Sequence, residues 1–214
     1  SSDQIDNPER GFSFQEAGPL DMRMDRSQER TLRDYLAQVD EKTLAGVLRE
    51  WGGERFSGRI ARVILEAFRA NQLADTRDLA ECVFQAIPGK FRHGRIHPAT
   101  RTFQALRIAV NRELEVLERF LDVAVDLLGS TGRLCVLAFH SLEDRIVKHT
   151  FRDLSTGCRC DPRLPACVCG RRPQVKLLTR KVVRPQAAEV AANPLARSTR
   201  LRAVAKLQPD GGHA

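Results

Sequence analysis

Between Arg133 and Phe151 the chain passes from a short apolar run, Leu134-Cys135-Val136-Leu137-Ala138-Phe139, through polar His140-Ser141 to an apolar stripe at Ile146, Val147 and Phe151. The run is rich in strand formers and too short for a core helix. Ser141 followed three residues later by Asp144 is a helix-start signal of the capping-box kind, with the shorter acid in place of Glu or Gln. The pattern predicts a buried strand, a tight turn and a new helix. His140, Ser141, Glu143, Asp144 and Arg145 cluster at the strand's C-terminal end, the edge at which open α/β sheets bind ligands.

Upstream, residues 31–87 read as four short helices. Leu32, Tyr35, Leu36 and Val39, then Leu44, Val47, Leu48 and Trp51, follow helical spacing. Asp40 is the expected N-cap of the second helix and Gly52-Gly53 its end. Phe56, Ile60, Val63, Ile64, Ala67 and Phe68 line a third. Thr76 is the expected cap of a fourth, which Pro88-Gly89 stops. A longer helix is predicted from Pro98 through Val125, ended by Gly129 and Gly132. Residues 175–183 and 199–206 read as strands, joined by a connection long enough for one helical turn. Residues 1–30, dense in Asp, Gly and Pro, read as a structured loop, and the tail from 208 as disordered. Cys82 and Cys135 sit in apolar runs and are expected to be packing residues.

Charge adds a partner class. Lys plus Arg exceed Asp plus Glu by 35 − 27 = 8 over 214 residues, which suits a polyanion such as nucleic acid. Aromatic residues make up only 6%, which argues against a single-strand reader built on stacked rings. No window approaches the roughly 18 unbroken apolar residues of a membrane helix, and the N-terminus has no signal-peptide pattern; the expected compartment is the cytoplasm. The loop 88–102 concentrates Lys90, Arg92, His93, Arg95, His97 and Arg101 at the mouth of the long helix, where phosphate contacts would need them. Cys158, Cys160, Cys167 and Cys169 form two C-x-C pairs across a six-residue gap. Four cysteines in one short loop of a reducing compartment read as a tetrahedral thiolate zinc site or as free or oxidation-prone thiols.

Longer blocks carry a resemblance. Ser1-Ser2, Gln4, Pro8-Glu9-Arg10-Gly11-Phe12-Ser13-Phe14, Gly18-Pro19-Leu20-Asp21-Met22-Arg23-Met24-Asp25, His97-Pro98-Ala99-Thr100-Arg101-Thr102-Phe103-Gln104-Ala105-Leu106-Arg107, Phe139-His140-Ser141-Leu142-Glu143-Asp144-Arg145 and Asn193-Pro194 with Arg197-Ser198 and Leu201-Arg202 run nearly end to end. In this order they resemble the bacterial small-subunit rRNA cytosine-N4 methyltransferases of the MraW-like family. The resemblance implies an α/β fold, the C-terminal part of a Rossmann-like methyltransferase sheet with a helical insertion. Residues 1–30 would be an active-site loop, 31–95 the insertion, and 96–207 the rest of the catalytic domain, closed by two antiparallel strands.

The activity implied is S-adenosylmethionine-dependent methylation of a cytosine N4 in the decoding region of 16S rRNA, within the small ribosomal subunit. Of the family's cofactor contacts only Gln4 maps onto this sequence. The glycine-rich cofactor loop has no counterpart, so the chain reads as the C-terminal two-thirds of a family member. It is expected to expose a strand edge and to dimerise or dissolve poorly through it. His140, Ser141 and Asp21 or Asp25 are the candidates to line the cytosine pocket, with the base splayed out to enter it. Arg10, Arg23, Arg92, Arg101, Arg107 and Arg145 are the candidates for RNA contact. The competing readings are a non-enzymatic rRNA- or ribosome-binding module and a zinc-stabilised nucleic-acid-binding protein.

Overall fold

In the computed structural model, which describes residues 4–5, 7–94, 96–158, 160, 166 and 169–208, the apolar stripes become helices, several of which start at side-chain caps. Helix α1 (Leu32–Gln38) opens with a Thr31–Asp34 capping box. Helix α2 (Glu41–Gly52) starts where Asp40 accepts the Thr43 N–H and ends at Gly53 with φ 65°. Helix α3 spans Ser57–Arg69 and α4 Thr76–Ala86. The α4 cap is Asp75 rather than Thr76, because the Asp75 carboxylate accepts the N–H groups of Arg77 and Asp78. The Thr76 hydroxyl is occupied elsewhere, donating to Glu16 O and accepting the Gly18 N–H.

The long helix expected from Pro98 to Val125 is two helices, α5 (Ala99–Asn111) and α6 (Glu113–Ala124). Arg112 between them has φ 51°, and its N–H closes back on Ile108 O. A left-handed residue is an ordinary way to end a helix. Here it is a non-glycine, so surrounding bonds must hold it. The neighbouring Asn111 side chain does so by bonding to Met22 O and Arg107 O.

Two compact units result, Ser1–Glu113 and Leu114–Ala214. In the first, Leu36, Leu44, Leu48, Ile60, Ile64, Leu79 and Leu106 are buried between the helices and the loop of residues 7–25. Gly52 is needed at the α2–α5 contact: a Cβ there would lie 2.7 Å from Arg101 O.

The second unit holds the rest of α6, then β1 (Arg133–Ala138), α7 (Ser141–Ser155), β2 (Val175–Leu177), α8 (Ala187–Ala192) and β3 (Arg200–Lys206). The strand order is β1-β3-β2, with β3 antiparallel to both neighbours. β2 and β3 form the antiparallel pair expected at the end of an α/β chain, and β3, lying between β1 and β2, leaves those two strands parallel in direction. The strand predicted over 175–183 stops at Leu177, and Val183 returns only as a single bridge to Leu201. Leu121, Val125, Val147, Phe151, Val175 and Val204 form this unit's core.

β1 departs from the expectation of a fully buried strand. Leu134, Val136 and Ala138 face inward, whereas Cys135, Leu137 and Phe139 are exposed, Leu137 by 55% and Phe139 by 57%. An apolar run on both faces is the pattern of a covered parallel strand, but among the described residues only one face is covered. Cys135 is thus a surface thiol, while Cys82 is partly buried and burial pushes its thiol up to about 11. No described helix is long and apolar enough to cross a membrane.

Candidate active site

The turn that joins β1 to α7 is braced by one carboxylate. Glu143 Oε2 accepts the backbone N–H groups of Phe139 and His140 at 2.8 and 3.2 Å. His140 Nδ1 reciprocally accepts the Glu143 N–H at 3.4 Å. The capping box therefore runs from His140 to Glu143, one residue earlier than Ser141 and Asp144. His140 reaches this role because its ring nitrogen can accept as a hydroxyl would. Ser141 becomes the first helical residue and is exposed. Asp144, released from capping, forms a two-point ion pair with Arg202 of β3, Oδ1 to Nε at 2.7 Å and Oδ2 to Nη2 at 3.2 Å. Helix and sheet are thus locked together one turn from His140.

The loop of residues 7–25 is folded back on itself at two glycines. A Cβ on Gly18 would sit 2.0 Å from Pro8 O, and one on Gly11 2.1 Å from Pro19 O, so neither position has room for a side chain. Arg10 clamps the far limb, donating to Arg23 O and Met24 O at 2.8 and 2.7 Å. Gln4 Nε2 reaches the same Met24 carbonyl at 3.1 Å. Asn111 completes the clamp, accepting the Met24 N–H and donating to Met22 O, both at 2.7 Å.

The two candidate acids differ. Both oxygens of Asp21 are gripped by Arg23, at 2.7 and 2.9 Å, and that hydrogen bonding holds its carboxyl below the usual range. Asp25 is exposed and shapes a turn, Oδ1 accepting the Ser27 N–H and hydroxyl, which also lowers its carboxyl. Asp21 and Asp25 are carried by the first unit, His140 and Ser141 by the second.

The six predicted RNA-contacting arginines divide in the same way. Arg10 and Arg23 hold the loop. Arg92 donates to Ile87 O at 2.8 Å and lies 4.9 Å from the Phe84 ring centre. Arg107 pairs with Glu113 through two bonds of 2.8 and 3.0 Å. Arg101 and Arg145 are exposed. His97, expected at a phosphate-binding mouth, is exposed, with its ring 4.7 Å from that of Phe14 and its Nδ1 accepting the Ala99 N–H at the start of α5. Arg95 and Cys167 lie outside the described residues, as does the tail beyond 208. Cys158, Cys160 and Cys169 bring their sulfurs within 4.8 Å of one another.

Asn111 is a site-shaping residue that sequence reading does not single out, whereas Arg202 belongs, with Leu201, to the blocks that carry the family resemblance but has no role assigned from them. A buried amide ending an apolar helical stripe was the available signal for Asn111.

The model of the MraW methylase family matches residues 1–207. Proteins called ribosomal RNA small subunit methyltransferase H are close relatives. That of Anaeromyxobacter sp. (strain K) is 52% identical over 97% of this chain and 67% of its own length. That of Trichlorobacter lovleyi is 49% identical over 97% of this chain and 66% of its own, and that of Syntrophobacter fumaroxidans 52% over 96% and 65%. The chain spans about two thirds of the length of these relatives. A match that runs through the glycine-pinned loop, the helical segment and the β1–α7 turn leaves one assignment: the chain belongs to the MraW methylase family, and so to the methyltransferases.

Proposed function

We propose that the chain supplies the substrate side of an S-adenosylmethionine-dependent methyltransferase acting on the N4 amino group of a cytosine in the decoding region of 16S rRNA. Its substrate would be the small ribosomal subunit and its compartment the cytoplasm. The observation that carries the reading is the rigid His140–Ser141 turn at the C-terminal end of β1, held from behind by Glu143 and by the Asp144–Arg202 pair. The relatives' printed name supports rRNA as the substrate.

A cytosine amino group is a weak nucleophile because its lone pair is delocalised into the ring. What the protein must provide is acceptors for the N–H protons and a fixed orientation. Ser141 supplies an exposed hydroxyl, and His140, whose Nδ1 already accepts the Glu143 N–H and whose Nε2 lies 3.4 Å from Glu143 Oε1, holds that hydroxyl in place. Asp25, ionised and exposed, is the better of the two acidic acceptors, because Arg23 already saturates Asp21. Of the six arginines, Arg101 and Arg145 are exposed, and these would meet phosphate. S-adenosylmethionine supplies the methyl group when bound. Gln4 fits an edge contact to it, its amide being half-buried and oriented by Met24 O.

The test is methyl transfer from radiolabelled S-adenosylmethionine to small subunits lacking the modification, with this segment completed by the N-terminal third of a full-length family member as catalyst. Label should enter 16S rRNA and appear as N4-methylcytidine after digestion. His140→Ala should reduce the rate by about 100-fold, the scale of misplacing a reacting group by an ångström, because the turn that presents Ser141 loses its cap. Absence of label, with the chain still co-sedimenting with subunits, would overturn the catalytic reading in favour of a binding module.

A further inference from the structure

The cysteine loop is unused by the methyl-transfer reading, and its two ends are tied together. Leu154 O at the end of α7 accepts the Gln174 N–H at 2.8 Å, just before β2. Arg171 Nη2 donates to Asp153 O at 3.1 Å. The segment between them is therefore a closed loop anchored on a helix and a strand. Within it the sulfurs of Cys158, Cys160 and Cys169 converge, all within 4.8 Å of one another, although Cys158 and Cys169 are eleven positions apart in sequence. Gly170 takes φ 60° directly after Cys169, a left-handed conformation that glycine adopts without strain. The Cys160 N–H points at Cys158 Sγ, 3.3 Å away.

We infer that Cys158, Cys160 and Cys169 are ligands of a structural zinc ion. Zinc–thiolate bonds of about 2.3 Å in a tetrahedron place sulfurs about 3.8 Å apart, so a small contraction of the observed cluster seats the ion. The Cys160 N–H supplies the donor that a metal-bound thiolate accepts. Arg171 and Arg172 stand two and three residues after Cys169, where their charge offsets that of a three-thiolate zinc centre. Zinc needs one further ligand, which water or another thiol completes. Cys167 is available in the sequence but lies outside the described residues, and the inference uses three sulfurs only. The role is mechanical: the ion replaces a hydrophobic core in a loop too small to build one, and keeps the α7–β2 connection compact.

Metal content of the full chain, purified under reduction and without a metal-binding tag, is the direct measurement. One equivalent of zinc is expected. Cobalt(II) titrated into the zinc-free chain should give sulfur-to-cobalt charge-transfer bands together with the intense visible bands of tetrahedral coordination. Cys158→Ser, Cys160→Ser and Cys169→Ser should each weaken binding by more than the roughly 10–100-fold that loss of an outer-shell partner costs. Cys82→Ser, at a packed thiol of the other unit, should retain the full equivalent. Far less than one equivalent of zinc with no charge-transfer band in the unmutated chain would overturn the inference, whatever the variants do. So would zinc held equally well by the three serine variants. The readout is independent of methyl transfer, so its failure leaves the proposed function standing.

Discussion

Arg202 on β3 holds Asp144 on α7 through two parallel hydrogen bonds, with the two side chains only 11% and 17% exposed. Deleting one partner of a well-shielded pair costs more than the pair itself contributes, because the other charge is stranded. Asp144→Ala should therefore destabilise by about 2–3 kcal/mol, below the roughly 3–5 kcal/mol of a fully buried pair because some solvent reaches both groups. Arg202→Ala should cost a similar amount, and the double variant less than the sum. Urea unfolding of the four proteins gives the cycle. Strict additivity would show that the pair does not couple α7 to the sheet.

Asn111 makes a sharper case in the first unit, since its amide serves three backbone groups: Met22 O, Arg107 O and the Met24 N–H. Asn111→Ala leaves buried groups without partners, at about 1–3 kcal/mol for each group that water cannot reach. The expected loss is about 2–4 kcal/mol in denaturant unfolding. Asn111→Asp should be at least as harmful, because a carboxylate would face the two carbonyl oxygens that the amide N–H groups now satisfy. Full stability in the aspartate variant would contradict the assigned orientation of the amide.

How far these features were legible depends on how local they are. Asp40 and Gly53 bracket α2 within a dozen residues, and the strand–turn–helix at 133–155 follows from a run of apolar residues and a polar switch. Both are decided by neighbours in sequence. The break at Arg112 is not: NRELEVL reads as continuous helix, and what interrupts it is a set of bonds from Asn111 to residues nearly ninety positions away. The cap register failed for a different reason, since imidazole is outside the usual menu of capping side chains. The arginines were legible as charge but not as structure. A guanidinium that satisfies backbone carbonyls, as Arg10 and Arg92 do, has no partner residue type to recognise in the sequence.

Tyr35 carries a hydroxyl that is buried without a hydrogen-bond partner, and burial pushes its phenol above the ordinary range. The ring itself is well used, packed in the helical core with the Arg30 guanidinium 4.9 Å from its centre. Tyr35→Phe keeps the ring and removes the unsatisfied group, so it should be neutral or stabilising by up to about 1 kcal/mol. A loss beyond about 1 kcal/mol in thermal or urea unfolding would mean that the hydroxyl has a bound water or other partner.

Glu54 gives the fold a pH signature. It is buried just after α2, accepts a long 3.3 Å bond from the Thr102 hydroxyl, and burial raises its carboxyl despite the Thr102 bonds and the nearby Arg101 charge. A carboxyl whose folded pKa lies above its unfolded one favours the fold when protonated. That contribution is complete below the unfolded pKa and disappears as pH rises through the folded value. At neutral pH the ionised group is therefore a burden that an uncharged isostere removes. Glu54→Gln keeps the acceptor for Thr102 and should stabilise the chain at pH 7 by on the order of 1 kcal/mol. The gain should shrink as pH falls into the carboxylate range. Melting curves of both proteins across that interval decide it. A variant that is less stable than the parent at pH 7, or whose advantage does not change with pH, would show that Glu54 is held as a charge by Arg101 rather than penalised by its surroundings.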